Sequence, residues 1–459
     1  MQDFKHLSHN RRSSLFKQPA QNRKLSPPVA ASSVLSAPPT GKRRKRLVRI
    51  LAVLVVLLGL GPLTFLLAGK LSTHIPKLTS LLSGETKQVP PRAAEAARPR
   101  LSPFEQACGL LPSAAPADGR LAAVTADGER YEFSIVDSLQ QRVHEYFEKN
   151  KVPYGVFVAL EPASGRILAM TAYSSVDPQW PKSAYFELYP MASLFKIVTA
   201  SAALEAGKIN PDSVVEFRGG SYSENPRHWS AAPRGRNNRM DVTYAMGKSI
   251  NPVYGRIASD IAGKDLVMER VRSFGFNQAL LPGVPVKESK ACEPSSELGL
   301  RLMGCGLDHE VKVSPLHAAL IMASLANGGK MMSPSLTDRV VDGAGSQKEV
   351  YISRELRQLV SPSTSAALTR MLSTTVTTGT SRRAFHDRRG RPTLAGIDIA
   401  AKTGSINGSD PKGHYSWFAA YAPTRNPRIA LATLVINQDK WKIKASQVGQ
   451  QALDEFFRN

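Results

Sequence analysis

From about residue 120 onward, apolar and polar positions alternate in patterns that predict short strands separated by helices. Ala122-Ala123-Val124 and Tyr131-Glu132-Phe133 flank Asp127-Gly128, a turn pair, which predicts a small hairpin over 121–135. Leu139, Val143 and Tyr146-Phe147 fall on one side of an amphipathic helix over 138–149. Two β-rich runs, 154–160 and 166–173, are joined by Glu161-Pro162-Ala163-Ser164-Gly165 and predict a second hairpin. Phe195, Ile197, Val198, Ala202, Leu204 and Ala206 build the apolar surface of a helix that starts at Ser193 and that Gly207 can end. Residues 240–330 read as largely helical, with helices near Thr243, over 264–273 and over 315–327. Strand-like runs follow at 395–402, 417–421 and 429–436, and an amphipathic helix over 445–457 closes the pattern. Strands at both ends of a central helical block predict an α+β fold. A mainly antiparallel sheet is assembled from distant segments, with helices on its faces.

Ahead of this region the pattern changes. Residues 50–69, beginning at Ile50 and ending at Gly69, carry no charge and are rich in Leu and Val. As a helix they span roughly 30 Å, the hydrocarbon thickness of a bilayer. Lys42-Arg43-Arg44-Lys45-Arg46 and Arg49 stand directly before them. By the positive-inside rule the preceding tail stays in the cytoplasm and the chain after Lys70 is exported. The run is long for a cleaved signal peptide, and no clear small-x-small site follows. The expected organisation is a basic disordered cytoplasmic tail (1–46), a transmembrane helix (47–70), a linker and short stalk (71–130) and one large domain (131–459).

Composition fits this division. The chain has 459 residues, is 42% hydrophobic and carries a net charge of +23. Residues 1–49 hold 12 Lys or Arg against a single acid, Asp3. Anionic lipid is the natural partner of such a membrane flank, so nucleic acid is not expected. The second basic cluster, from Arg382-Arg383 to Arg391, reads as a solvated loop. Cys108, Cys292 and Cys305 are too few for a disulfide framework; a Cys108–Cys292 pair stays open. Neither they nor the nine His residues show metal-ligand spacing, and no metal or cofactor is expected.

The candidate chemistry lies in three short motifs. Ser193-Leu194-Phe195-Lys196 places a hydroxyl and an amine one helical turn apart. Ser249-Ile250-Asn251 and Lys402-Thr403-Gly404 follow. The tetrapeptide alone is weak, because Ser14-Leu15-Phe16-Lys17 repeats it and Ser409-Asp410-Pro411-Lys412 also fits Ser-x-x-Lys. Only Ser193 heads a helical pattern in the main domain; Ser14 lies in the basic tail and Ser409 in a polar loop. A serine hydroxyl needs a base to become a nucleophile, and a lysine is a base only when neutral. Burial and a nearby positive charge both lower a lysine pKa, and Lys402 can supply that charge. The backbone N–H groups of Ser193 and Ser405 are candidate oxyanion donors, and Gly404 lets substrate approach the strand closely. Ser249 can pass a proton to a leaving amine, and Asn251 can hydrogen-bond a substrate amide.

The motif set, with gaps of 56 and 153 residues between its serines and lysine, resembles the transpeptidase domain of class B penicillin-binding proteins. These are membrane-anchored and lack a glycosyltransferase domain. The likeness covers residues 131–459 and extends to Leu160-Glu161-Pro162, Gly304-Cys305-Gly306, Gly379-Thr380 and Trp417-Phe418-Ala419-Ala420-Tyr421. It implies a penicillin-binding protein/β-lactamase-like fold with a five-stranded antiparallel sheet. It also implies that Ser193 is acylated by the penultimate D-Ala of a peptidoglycan stem peptide and passes the acyl group to an amine of a neighbouring stem. Lys196 is then the base, Ser249 and Lys402 assist proton transfer, Asn251 binds the donor, and Thr403 and Ser405 bind its carboxylate. β-Lactams would trap the serine, and a membrane glycosyltransferase is the expected partner at the bacterial cytoplasmic membrane. Position 405 is Ser where many members carry Thr, and the amino-terminal pedestal is much reduced. The alternatives are a D,D-carboxypeptidase, a serine β-lactamase, for which nothing marks Glu288, Glu293 or Glu297 of the middle block as the water-activating base, and a non-catalytic sensor or scaffold. Residues 222–229, with Trp229, are expected to border the cleft, although such aromatics more often pack in a core.

Overall fold

The computed structural model describes residues 101–458. The basic tail, Ser14, the apolar segment 50–69 and the linker up to residue 100 lie outside the described residues. Among the described residues no helix is long and apolar enough to cross a membrane.

Helix α1 (Asp137–Lys149) leads into strands β1 (Tyr154–Leu160) and β2 (Ile167–Tyr173). A central helical block follows: α2 (Lys196–Glu205), α3 (Val242–Lys248), α4 (Asn251–Arg256), α5 (Glu297–Cys305), α6 (Pro315–Ala326) and α7 (Pro362–Thr377). Strands β3 (Ala400–Ser409), β4 (Lys412–Ala422) and β5 (Ile429–Asn437) and helix α8 (Ala445–Arg458) complete the fold. The five strands form one antiparallel sheet in the order β3-β4-β5-β1-β2. The α+β architecture and the five-stranded sheet match the expectation.

Helix starts are written locally. Asp241, Ser296, Ser314 and Ser361 each accept a backbone N–H from the first turn of α3, α5, α6 and α7. Such caps contribute about 1 kcal/mol each. Packing decides the rest. Successive strand residues point to opposite faces: Val156, Val158 and Leu160 join the core under the helical block, while Phe157 and Ala159 join a second core. All nine residues of β5 are buried. Helix α6 is buried nearly all round and lies against β1, β4 and β5. Helices α1 and α8 cover the opposite face with Leu139, Val143, Phe147, Val448 and Leu453. Each large apolar side chain taken from water there contributes about 1.5–3 kcal/mol.

A second five-stranded sheet orders segments 115–117, 120–124, 130–133, 337–341 and 347–350. The hairpin expected at 121–135 is two of these strands, and its partner comes from about 200 residues later: Tyr131 pairs with Val340. Residues 103–110, read as part of the linker and stalk, form a helix whose Phe104 and Ala107 enter the same core as Tyr131.

Two boundaries differ from expectation. The strand expected to stop at residue 402 continues to Ser409, carried by pairing from Ala400↔Tyr421 through Ser409↔Lys412. Tertiary pairing overrides the weak strand preference of its Gly, Ser and Asn residues. Ser409 is therefore the last residue of a strand rather than part of a loop. The helix expected from Ser193 begins as a 3-10 turn, Ala192–Phe195, and becomes α-helical at Lys196.

Candidate active site

Two left-handed backbones set the two motif serines. Ala192 has φ +52 and precedes Ser193; Ser249 itself has φ +59 and caps α3. Each costs a non-glycine residue about 1–3 kcal/mol, and the surrounding structure must hold it there. Gly306 is what makes room. A Cβ on it would lie 2.1 Å from the Ala192 carbonyl oxygen and 2.7 Å from the Ser193 nitrogen. From the sheet side, Trp417 donates its indole N–H to the Pro190 carbonyl at 2.9 Å. Gly404 lets β3 pass directly against the turn, since a Cβ there would meet that of Ala192 at 3.1 Å.

Lys196 is fully buried and has three partners: Ser193 Oγ at 2.8 Å, Asn251 Oδ1 at 2.9 Å and the Cys305 carbonyl at 2.5 Å. Asn251 Oδ1 and the carbonyl can only accept, while the hydroxyl can also donate. A neutral amine has two N–H groups and one lone pair, so it fits this set with the lone pair aimed at the Ser193 proton. Burial pushes the Lys196 pKa down to about 8, opposed by its proximity to Cys305.

Lys402 is also fully buried, projecting from β3 to Ser249 Oγ at 2.8 Å and to the Thr403 carbonyl at 2.8 Å. Burial, and then the charge of Lys196, hold it well below the ordinary lysine range. Burial is the largest cause for both lysines, and the like-charge repulsion between them acts on each.

The motif residues converge on a cleft of about 370 Å³. Ser193, Ser249 and Asn251 line one side and Thr403 and Ser405, on edge strand β3, the other. Thr380 joins them, with Oγ1 2.6 Å from Thr403 Oγ1 and its N–H donating to the Gly247 carbonyl at 3.0 Å. Leu307, Tyr222, Glu224, Lys248 and Lys444 also face the cleft. Of these extra residues, Thr380, Tyr222 and Glu224 sat in stretches marked beforehand. The Cys305 carbonyl and the Trp417 anchor carry no signal of their own in the sequence.

Trp229 does not border the cleft. It is fully buried, its ring filling the space that a Cβ on Gly255 would need, and Tyr222 and Glu224 of its loop line the cleft instead. Glu293 pairs with Lys264 at 2.6 Å, Glu297 with Arg301 at 2.6 Å, and Glu288 borders a separate cavity. The three cysteines are free thiols.

A helix-borne serine and lysine held against the edge strand of an antiparallel sheet place the protein among the active-site-serine proteins that recognise penicillins. The model of the penicillin binding protein transpeptidase domain matches residues 155–458, and the chain belongs to that family. It is 28% identical over 317 residues to the peptidoglycan D,D-transpeptidase PbpA of Mycobacterium tuberculosis (strain CDC 1551 / Oshkosh), covering 62% of each chain. It is 25% identical over 346 residues to the stage V sporulation protein D of Bacillus subtilis (strain 168), covering 70% of this chain and 50% of that protein. The chain thus spans less than two thirds of the length of these relatives. Among solved structures, the ceftriaxone acyl-enzyme complex of penicillin-binding protein A from M. tuberculosis aligns with a TM-score of 0.59 and 25% identity. That alignment covers 72% of this chain and 80% of the other.

Proposed function

We propose that this chain is a peptidoglycan D,D-transpeptidase that works through an acyl-enzyme on Ser193 and is inactivated by β-lactams. The observation that carries this reading is the set of partners around Lys196, which suits a neutral amine receiving the Ser193 proton.

In this reading Lys196 takes that proton as Oγ attacks the carbonyl of the penultimate D-Ala. The N–H groups of Ser193 and Ser405 hold the oxyanion. Ser249, paired with Lys402, hands a proton to the departing amine, and D-Ala leaves. Thr403 and Ser405, with Thr380 beside them, bind the donor's terminal carboxylate. Asn251 holds the donor backbone, exchanging the long 3.4 Å bond from its amide to the Ser223 carbonyl. An acceptor amine then attacks the ester and Ser193 regains its proton. A β-lactam enters the same position and acylates the same oxygen.

The uncharged run 50–69 and its basic flank support a single amino-terminal membrane anchor, with the catalytic domain outside the bacterial cytoplasmic membrane. A membrane glycosyltransferase is the partner proposed for that anchor. A hydrolytic alternative, carboxypeptidase or β-lactamase, has one observation in its favour: Glu224 lines the cleft and can activate water.

Intact-mass analysis after incubation with a penicillin, beside Ser193→Ala, tests the reading. An adduct on the parent alone that lasts many minutes supports it. Rapid loss of the adduct with hydrolysed drug moves the assignment to a β-lactamase. No adduct on a folded protein favours a sensor or scaffold.

A further inference from the structure

Arginines outside the cleft fall into two groups. In the second sheet and beside it, Arg120 and Arg166 both reach Asp338, Arg130 reaches Asp118 and Arg339 reaches Glu132. The loop 382–391 differs. It carries five arginines and one acid, Asp387. That carboxylate is used up by the Arg391 guanidinium at 2.8 Å and by the backbone N–H groups of Arg389 and Arg391. Residues 440–444 run beside this loop and add Lys440, Lys442 and Lys444. Phe385 stacks on Phe418 at 5.5 Å and Ile443 is buried, so each segment is pinned by an apolar side chain while its charges face water. Among the described residues, Arg391 is the only one of these cations with a carboxylate partner.

Trp441 stands among them, 51% exposed. Trp229 and Trp417 are fully buried, and Trp180 packs on Tyr154 and Tyr189. His414 meets the Trp441 ring edge-on at 4.4 Å, and Lys444 Nζ lies 5.8 Å from its centroid. The ring is thus held in place while half of it faces water. Like charges crowded on one face repel one another, and a surface of opposite charge relieves that repulsion. A soluble polyanion would satisfy the charges alone. The exposed indole also fits an apolar layer beneath the anions. Indoles settle at the boundary of lipid headgroups and acyl chains, and Lys and Arg lay their stems along such a boundary with their charges at the phosphates. A bilayer is also close. The 31 residues between Gly69, the end of the proposed anchor, and Leu101 reach roughly 100 Å at full stretch, so the tether keeps the effective concentration of lipid high.

We propose that this face docks on the outer surface of the cytoplasmic membrane through anionic phospholipid headgroups; the anchor reading above enters only as the reason that the bilayer is close. Arg388, Arg389, Lys440 and Lys442 meet the phosphates, and Trp441 enters the interface. Thr380, Lys444 and Ser446 border both this face and the catalytic cleft, so docking sets the mouth of the cleft at the bilayer. Cross-linking is then confined to material lying against the membrane, a limit that the chemistry of Ser193 does not impose.

The test uses the full-length chain reconstituted in vesicles of phosphatidylcholine alone or mixed with phosphatidylglycerol, each with acyl chains brominated near the headgroup. Bromine quenches indole on contact, and subtracting the signal of Trp441→Phe isolates Trp441. The docking constant is expected to be about tenfold higher with phosphatidylglycerol and to fall about tenfold in Arg388→Gln/Arg389→Gln. Penicillin acylation, which both variants retain, reports folding. Equal Trp441 quenching in the two kinds of vesicle overturns the proposal, as does no quenching in the anionic ones or full quenching in a folded double variant. A Trp441 response to soluble polyphosphate but not to anionic vesicles overturns it in favour of a polymer. A chain that an alkaline wash strips from neutral vesicles overturns the anchor reading alone, and quenching by added anionic vesicles then still decides this proposal.

Discussion

Two lysine–serine pairs face one cleft with the same Nζ–Oγ distance, 2.8 Å, and they are built in opposite ways. Ser193 and Lys196 are three residues apart, and one turn of helix brings them together. Ser249 and Lys402 are 153 residues apart and meet only when β3 docks against the cap of α3. Both lysines are fully buried. The first pair is brought together by local geometry, and the fold holds it through Gly306, Asn251 and the Cys305 carbonyl. The second is fixed by the placement of the sheet relative to the helices. It is therefore the pair that a displacement between those layers disturbs first.

The largest test of this contrast is Lys196→Ala. It is expected to lower the rate of penicillin acylation about 10³–10⁴-fold, read by quenched mixing and intact mass. An equal loss from Lys402→Ala would erase the division of labour between the pairs. Ser249→Ala should cost about 10², because proton transfer to the leaving amine is slowed while the base remains.

The pH profile sharpens the same point. Lys196 must be neutral to act, and its pKa is pushed down to about 8. Acylation should therefore fall about tenfold per unit below pH 8 and level off above it. The sign carries over to stability. Between about pH 8 and the ordinary lysine range the unfolded chain binds the proton that folded Lys196 has lost. The contribution of Lys196 to stability thus improves as pH rises through that window. A flat profile from pH 6 to 9 would remove Lys196 as the base.

The smallest effect is expected from Trp417→Phe. Losing the bond to the Pro190 carbonyl should cost about 1–2 kcal/mol in denaturant unfolding and slow acylation only a few-fold. A loss larger than that of Ser249→Ala would mean that the sheet also fixes the local pair.

The sequence made the local half readable and left the distant half obscure, for physical reasons. The Ser193 helix, the hairpin at 154–173 and the last helix each follow from periodicity within their own segment. Strand β3 was cut short at residue 402 because Gly404, Ser405, Asn407 and Gly408 have weak strand preference, and only pairing with β4 carries the strand through them. Trp229 was read toward the cleft because it lies in a Gly/Pro-rich loop between the first two motifs, yet Gly255 and the helices around it form a slot that buries it. The Cys305 carbonyl beside Lys196 is a backbone atom that any residue would supply, so no side chain advertises it. The second sheet joins strands about 200 residues apart, beyond any local pattern.

The order of the main sheet has a consequence for how the protein is made. Strand β5, near the end of the chain, pairs with β1, Ala430 opposite Leu160, and with β4, so it joins the first hairpin to the β3–β4 pair that carries Lys402. A chain emerging amino-terminus first has Ser193 and Lys196 long before it has that strand. Contacts of such sequence separation form late and slowly. Until the last strands arrive, the emerging chain holds a serine and a lysine without a walled cleft. The walls of the cleft are thus completed only once the segment through β5 has been delivered.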